Sequence, residues 1–252
     1  MQKPILKLEN VTVTLGGEEI LSNISLEIMD GETAVFVGPS GGGKTVLLKT
    51  MAGVYAPSSG HVYFDGEDWQ NLQSDQKRQL ARKIGMQFQK SALFDSLSAG
   101  ENVAFPLREH TEMGENEIQN RVQECLAAVG LEKAIDQLPH ELSGGMRQRL
   151  GIARSIALNP QIVFYDDPTA GLDPINTDRM LDLIQNLKTN FKSTVILVTH
   201  DMSCAYQMAG RIFLVANREV IETGDAEQTQ AHKDPRVQQF IHGHLNGPLR
   251  WG

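Results

Sequence analysis

The chain has 252 residues, room for one large α/β core with an insertion but a squeeze for two full domains. A net charge of -8, with 40% hydrophobic and 21% charged residues and no low-complexity tract, predicts a compact, continuous body. Without a run of Lys and Arg the acidic chain is not expected to bind nucleic acid or a membrane surface electrostatically, and apolar stretches such as residues 194–199 fall far short of the roughly 20 residues that span a bilayer.

Pro4 and charge precede any apolar run at the N-terminus, so no secretory signal is expected. Val11 and Val13, then Ile24, Leu26 and Ile28, alternate as antiparallel strands with one wet face do. Residues 34–37 form a continuous apolar run of buried parallel-strand type, followed by a glycine-rich turn and a helical stretch through Val46, Leu47, Leu48 and Met51. Short strands return around Val62 and Phe64 and around Ile84, Met86 and Phe88.

From about residue 97 to 158 helices dominate, with Ile118, Val122, Cys125, Leu126 and Val129 on one helical face. Strands resume at 162–165, 195–198 and 212–215. The helix between the first two starts at Asp173-Pro174 and presents Met180, Leu183, Ile184 and Leu187. This order predicts an α/β fold: a mostly parallel sheet, an antiparallel β segment and an inserted helical arm. Cys125 and Cys204 sit inside patterned segments and need no partner, which fits a reducing cytosol.

Gly38-Pro39-Ser40-Gly41-Gly42-Gly43-Lys44-Thr45 fits G-x-x-x-x-G-K-[ST] and lies between a buried strand and a helix. Its glycines let backbone N–H groups wrap a polyphosphate, Lys44 adds a charge at the outer phosphates, and Thr45 offers a hydroxyl to Mg²⁺. Asp166 ends the buried strand 162–165, where an acid can hold Mg²⁺ or its water, although alone it would pass for a loop residue. Leu142-Ser143-Gly144-Gly145-Met146 opens a helix, Ser143 as N-cap and the glycines leaving N–H groups uncovered. By itself this is a capped helix; beside a phosphate loop it is a second anion-binding helix end.

Together these motifs resemble the ATP-binding cassette (ABC) family, and the resemblance covers essentially the whole chain as a single P-loop ATPase domain, 1–252. Leu142–Met146 is similar to the LSGGQ signature, with Met146 in place of the usual glutamine. The resemblance implies that two copies face each other head to tail, each signature (Ser143, Gly144, Gly145, Met146) closing over the ATP of its twin. It also implies a Mg²⁺-contacting Q-loop glutamine at Gln89, a D-loop aspartate at Asp173 and a switch histidine at His200. Locally, Asp173 looks like an ordinary N-cap and His200 like a structural histidine.

Asp167 stands where the family carries the glutamate that polarises attacking water, and the methylene it lacks predicts slow turnover. Leu15 stands where an aromatic ring usually stacks on adenine, predicting loose base selectivity. Within the family the chain resembles the ATPases of MCE-type lipid transporters in Ser91-Ala92-Leu93-Phe94, in Glu101 to Thr111, in the Ser-Gly-Gly-Met signature and in Asp234 to Phe240.

That likeness implies integral membrane permease subunits docked on the groove from Gln89 to Glu101, periplasmic MCE proteins in the same complex, and a peripheral place on the cytoplasmic side of the inner membrane. A C-terminal tail, about 233–252, either reaches the partner ATPase or frays. Rival readings are an ATPase for an importer of amino acids or another small solute, and a soluble cassette ATPase acting on DNA or ribosomes. Against the latter stand the acidic charge and the lack of a coiled-coil insertion or second cassette.

Overall fold

A computed structural model describes residues 3–249, and the chain divides into two compact units. The first comprises residues 1–81 and 194–252, the second residues 82–193. In chain order, the first unit begins with β1 (Pro4–Leu15), β2 (Glu18–Met29), β3 (Thr33–Val37), α1 (Lys44–Met51), β4 (Ser59–Phe64), β5 (Glu67–Asp68) and α2 (Ser74–Ala81). The second holds β6 (Ile84–Gln87), α3 (Ala99–His110), α4 (Glu115–Ala128), α5 (Gly144–Ser155), β7 (Ile162–Asp166) and α6 (Pro174–Phe191). The first unit then resumes with β8 (Thr194–Val198), α7 (Met202–Met208), β9 (Arg211–Ala216), β10 (Glu219–Gly224), α8 (Ala226–Gln230) and α9 (Pro235–His242).

In the first unit, β1 and β2 form an antiparallel hairpin turning through Gly16 and Gly17, both at positive φ, with Leu8 opposite Leu26 and Val11 opposite Ile24. β1 also pairs with β4, extending an antiparallel sheet. All five residues of β3 are buried, because the strand lies between β8 and β9 and is parallel to both. The Phe36 and Phe213 rings stack there at 4.8 Å. β10 closes this edge antiparallel to β9.

In the second unit, β6 and β7 run parallel from Ile84 opposite Ile162 to Gln87 opposite Tyr165. The helical stretch expected from about 97 to 158 corresponds to α3, α4 and α5, but the compact unit around it is wider and takes in β6, β7 and α6. α4 buries Ile118, Val122, Cys125 and Leu126, the face its spacing predicts. α6 starts on Asp173, whose carboxylate accepts from the Asn176 N–H at 3.0 Å, with Pro174 in its first turn. Its buried face is rotated from the sequence reading: Leu181 is buried beside Met180, Ile184 and Leu187, while Leu183 is half-buried and borders a cavity.

The C-terminal segment folds back on its own unit as far as Leu249. The buried Gln239 side chain of α9 accepts from the Leu249 N–H at 2.7 Å and donates to the His244 carbonyl at 3.2 Å, and Leu249 is 3% exposed. Arg250, Trp251 and Gly252, the end of the tail, lie outside the described residues.

Candidate nucleotide site

In the first unit the phosphate loop leaves β3 at Gly38. Gly38 has a φ of 151°, and a Cβ there would lie 2.1 Å from the Val215 carbonyl oxygen of β9, so no other residue fits this close approach. Gly43, at φ 93°, is the N-cap of α1, and its carbonyl accepts from the Leu47 N–H at 2.8 Å. The first N–H groups of α1 therefore face the loop's concavity, where the helix dipole favours an anion. The Lys44 ammonium folds into that concavity and donates to the Gly38 and Pro39 carbonyls, both at 2.8 Å. Thr45 is half-buried in the same first turn.

His200 belongs beside this loop by register. Phe36 of β3 is opposite Val198 of β8, so Gly38 and His200, each two residues further on, leave the sheet at the same edge. The Thr199 N–H donates to the Phe36 carbonyl at 3.1 Å and fixes the exit, and the His200 side chain is exposed. Leu15, at the end of β1, is 38% exposed and offers an apolar surface.

The second unit carries the other motifs. The β6–β7 register continues from Gln87 opposite Tyr165, which sets Gln89 and Asp167 at the same level beyond their strands. Asp166 is 3% and Asp167 8% exposed, at the end of a strand that is otherwise fully buried. Asp167 has a φ of 50°, a left-handed conformation that aspartate adopts more readily than most residues. Ser143 caps α5 by accepting from the Met146 N–H at 3.3 Å, leaving the Gly144 and Gly145 end of the helix open. Gly145 and Met146 border a cavity of about 520 Å³ with Leu172, Asn176 and Arg179.

Sequence reading missed the residues that hold these motifs in place. The Gln148 amide of α5 donates to the Ala170 carbonyl at 2.9 Å and so ties the signature helix to the start of the D-loop. Asn102, fully buried on α3, accepts from the Phe94 N–H and donates to the carbonyls of Phe94, Leu97 and Ser98, pinning the segment after Gln89. A Cβ on Gly85 would lie 2.3 Å from the Ser155 carbonyl oxygen, which explains a glycine inside β6. A single amide side chain set among the small and apolar residues of a helix was the available signal for the first two.

A threonine hydroxyl, an aspartate carboxylate and a glutamine carbonyl are each hard oxygen donors, the chemistry that Mg²⁺ takes.

A model of the ABC transporter family matches residues 21–170. The chain belongs to the ABC transporter ATPase family. It is 39% identical over 251 residues to the intermembrane phospholipid transport system ATP-binding protein MlaF of Haemophilus influenzae, covering 100% of this chain and 95% of that protein. It is 38% identical to the chloroplastic protein trigalactosyldiacylglycerol 3 of Arabidopsis thaliana, covering 98% of this chain and 76% of that one. Among solved structures, a dimeric ATP-binding cassette in a post-hydrolysis state, bound to ADP and Pi, superposes with a TM-score of 0.80 at 36% identity, covering 87% of this chain and 98% of that one. The chain is thus an ATP-binding ABC ATPase, and the expected α/β cassette fold is the one observed. Among the described residues no helix is long and apolar enough to cross a membrane.

Proposed function

We propose that this ABC ATPase powers phospholipid transport between the inner and outer membranes as the nucleotide-hydrolysing pair of an MCE-type complex. The observation that carries this reading is the 39% identity, over 251 residues, to an intermembrane phospholipid transport ATPase. Two copies bind head to tail, so that Ser143, Gly144, Gly145 and Met146 of one close over the ATP held by Gly38–Thr45 of the other. The complex sits on the cytoplasmic face of the inner membrane, with permease subunits seated on residues 89–101 and periplasmic MCE proteins beyond them.

Each residue then has a task that follows from its chemistry. The loop N–H groups and Lys44 bind and orient the β- and γ-phosphates, a positioning role that dominates phosphoryl transfer. Asp167 accepts a hydrogen bond from the attacking water and aligns it. His200 contacts the γ-phosphate, Asp173 couples the two sites, and Leu15 packs against the base. Thr45, Asp166 and Gln89 would hold Mg²⁺, which when bound neutralises charge on the phosphates.

The experiment is to isolate the complex from native membranes through this chain and identify its subunits and bound lipids. Permease and MCE subunits with co-purified phospholipid are expected. A complex with a small-solute permease and no bound lipid would overturn the lipid reading in favour of an importer.

A further inference from the structure

The segment that leaves Gln89 has an unusual backbone. Ser91 and Ala92 are consecutive non-glycine residues in the left-handed region, at φ 57° and 45°, so something must hold them there. Their carbonyl oxygens are both taken by one side chain: Arg154 of α5 donates to the Ser91 carbonyl at 2.7 Å and to the Ala92 carbonyl at 2.8 Å. The same guanidinium lies 5.6 Å from the centre of the Phe94 ring, and Phe94 packs on Phe105 of α3 at 4.6 Å between ring centres. These two rings are 40% and 39% exposed, an aromatic pair open to solvent on a framework that Asn102 already holds rigid.

Arg154 sits in the last turn of α5, whose other end is Ser143. Eleven helical steps separate the two, about 16 Å of rigid rod at 1.5 Å per residue. Midway, Gln148 fastens the same rod to the carbonyl of Ala170. A single straight element therefore carries the signature at its tip, the D-loop at its middle and the exposed aromatic pair at its base.

We propose that Arg154 is a positioning residue that couples the Phe94–Phe105 surface to the signature helix. A partner pressing on the two rings moves the Ser91–Ala92 carbonyls, the guanidinium that grips them follows, and α5 carries the displacement to Ser143. Lysine cannot replace arginine here, since a point charge cannot grip two carbonyls in a planar fork while stacking on a ring. This rests on the proposed docking of a membrane subunit on residues 89–101.

The test measures kcat and KM for ATP with the full chain alone and with the chain purified together with its membrane subunits, in the wild type, Arg154→Lys and Arg154→Met. Docking is read separately by cross-linking from Asp95→Cys, exposed beside Phe94 and outside the ring pair, in each background; the native thiols, Cys125 and Cys204, are buried and do not compete. In isolation, kcat and KM of the Arg154 variants are expected to stay within about twofold of wild type. In the complex, Arg154→Lys is expected to lose more than about half of the rise in kcat that the membrane subunits produce and Arg154→Met nearly all of it, with KM and cross-linking unmoved. Should a variant fail to fold, Phe94→Leu, which spares the guanidinium hydrogen bonds, is expected to give a partial loss of the same kind.

A full rise in Arg154→Lys overturns the proposal. So does a parallel fall of kcat alone and in the complex, which marks a merely structural role, or cross-linking lost only in the variants. If the wild type itself neither cross-links to a membrane subunit nor responds to one, the docking reading fails first, and the coupling role falls with it.

Discussion

In the proposed function, Asp167 is the residue on which turnover turns. Its left-handed backbone, φ 50°, suits aspartate, and the residue, 8% exposed, is held just past the end of β7 rather than swinging in solvent. In that proposed role a carboxylate one methylene short would hold the water about 1 Å out of place, an error that costs roughly 10²-fold in rate. Asp167→Glu is therefore expected to raise steady-state ATP hydrolysis by a factor in the tens. An unchanged or lower rate would show that the backbone conformation already compensates.

A second residue-scale expectation concerns Cys125, whose thiol burial pushes from 9.0 up to about 11. Because the folded protein holds this proton more tightly than the unfolded chain, the thiol's contribution is fully present below pH 9 and is lost as pH rises through 11. Urea midpoints measured from pH 8.5 to 11 are expected to fall more steeply in the wild type than in Cys125→Ala.

At the scale of elements, α3 is fixed by a capping box, in which the Ser98 hydroxyl accepts from the Glu101 N–H at 3.2 Å and the Glu101 carboxylate accepts from the Ser98 N–H at 2.8 Å. Ser98→Ala is expected to destabilise the protein by about 1 kcal/mol, lowering the melting temperature by roughly 2–4 °C in a scanning calorimeter. The box closes the segment that begins at Gln89, so the same substitution loosens residues 94–98, which hydrogen exchange would report as faster exchange at Phe94 and Leu97. The buried face of α4 follows from apolar spacing, which puts Ile118, Val122, Cys125 and Leu126 on one side. That of α6 does not: its periodicity admits either Leu181 or Leu183 on the buried side, and only packing chose Leu181.

For the whole molecule, the decisive prediction is association. A chain whose nucleotide is capped by its twin gains stability from ligand and partner together. Asp167→Asn, loaded with ATP and Mg²⁺, is expected to sediment as a dimer, the nucleotide-free chain as a monomer, and Asp167→Asn carrying Ser143→Glu as a monomer under both conditions, since a carboxylate at that helix tip repels phosphate. A dimer insensitive to Ser143→Glu would remove the signature from the interface.

The phosphate loop, the strand ending in Asp166 and the capped signature helix were determined by sequence alone, because each is a contiguous stretch whose backbone geometry its own residues impose. The level at which His200 stands with Gly38, and Gln89 with Asp167, was decided by strand register, which no local pattern encodes. Arg154 gripping the carbonyls of Ser91 and Ala92 was equally invisible beforehand: the partners lie 63 and 62 residues apart, and only packing of α5 brings them together.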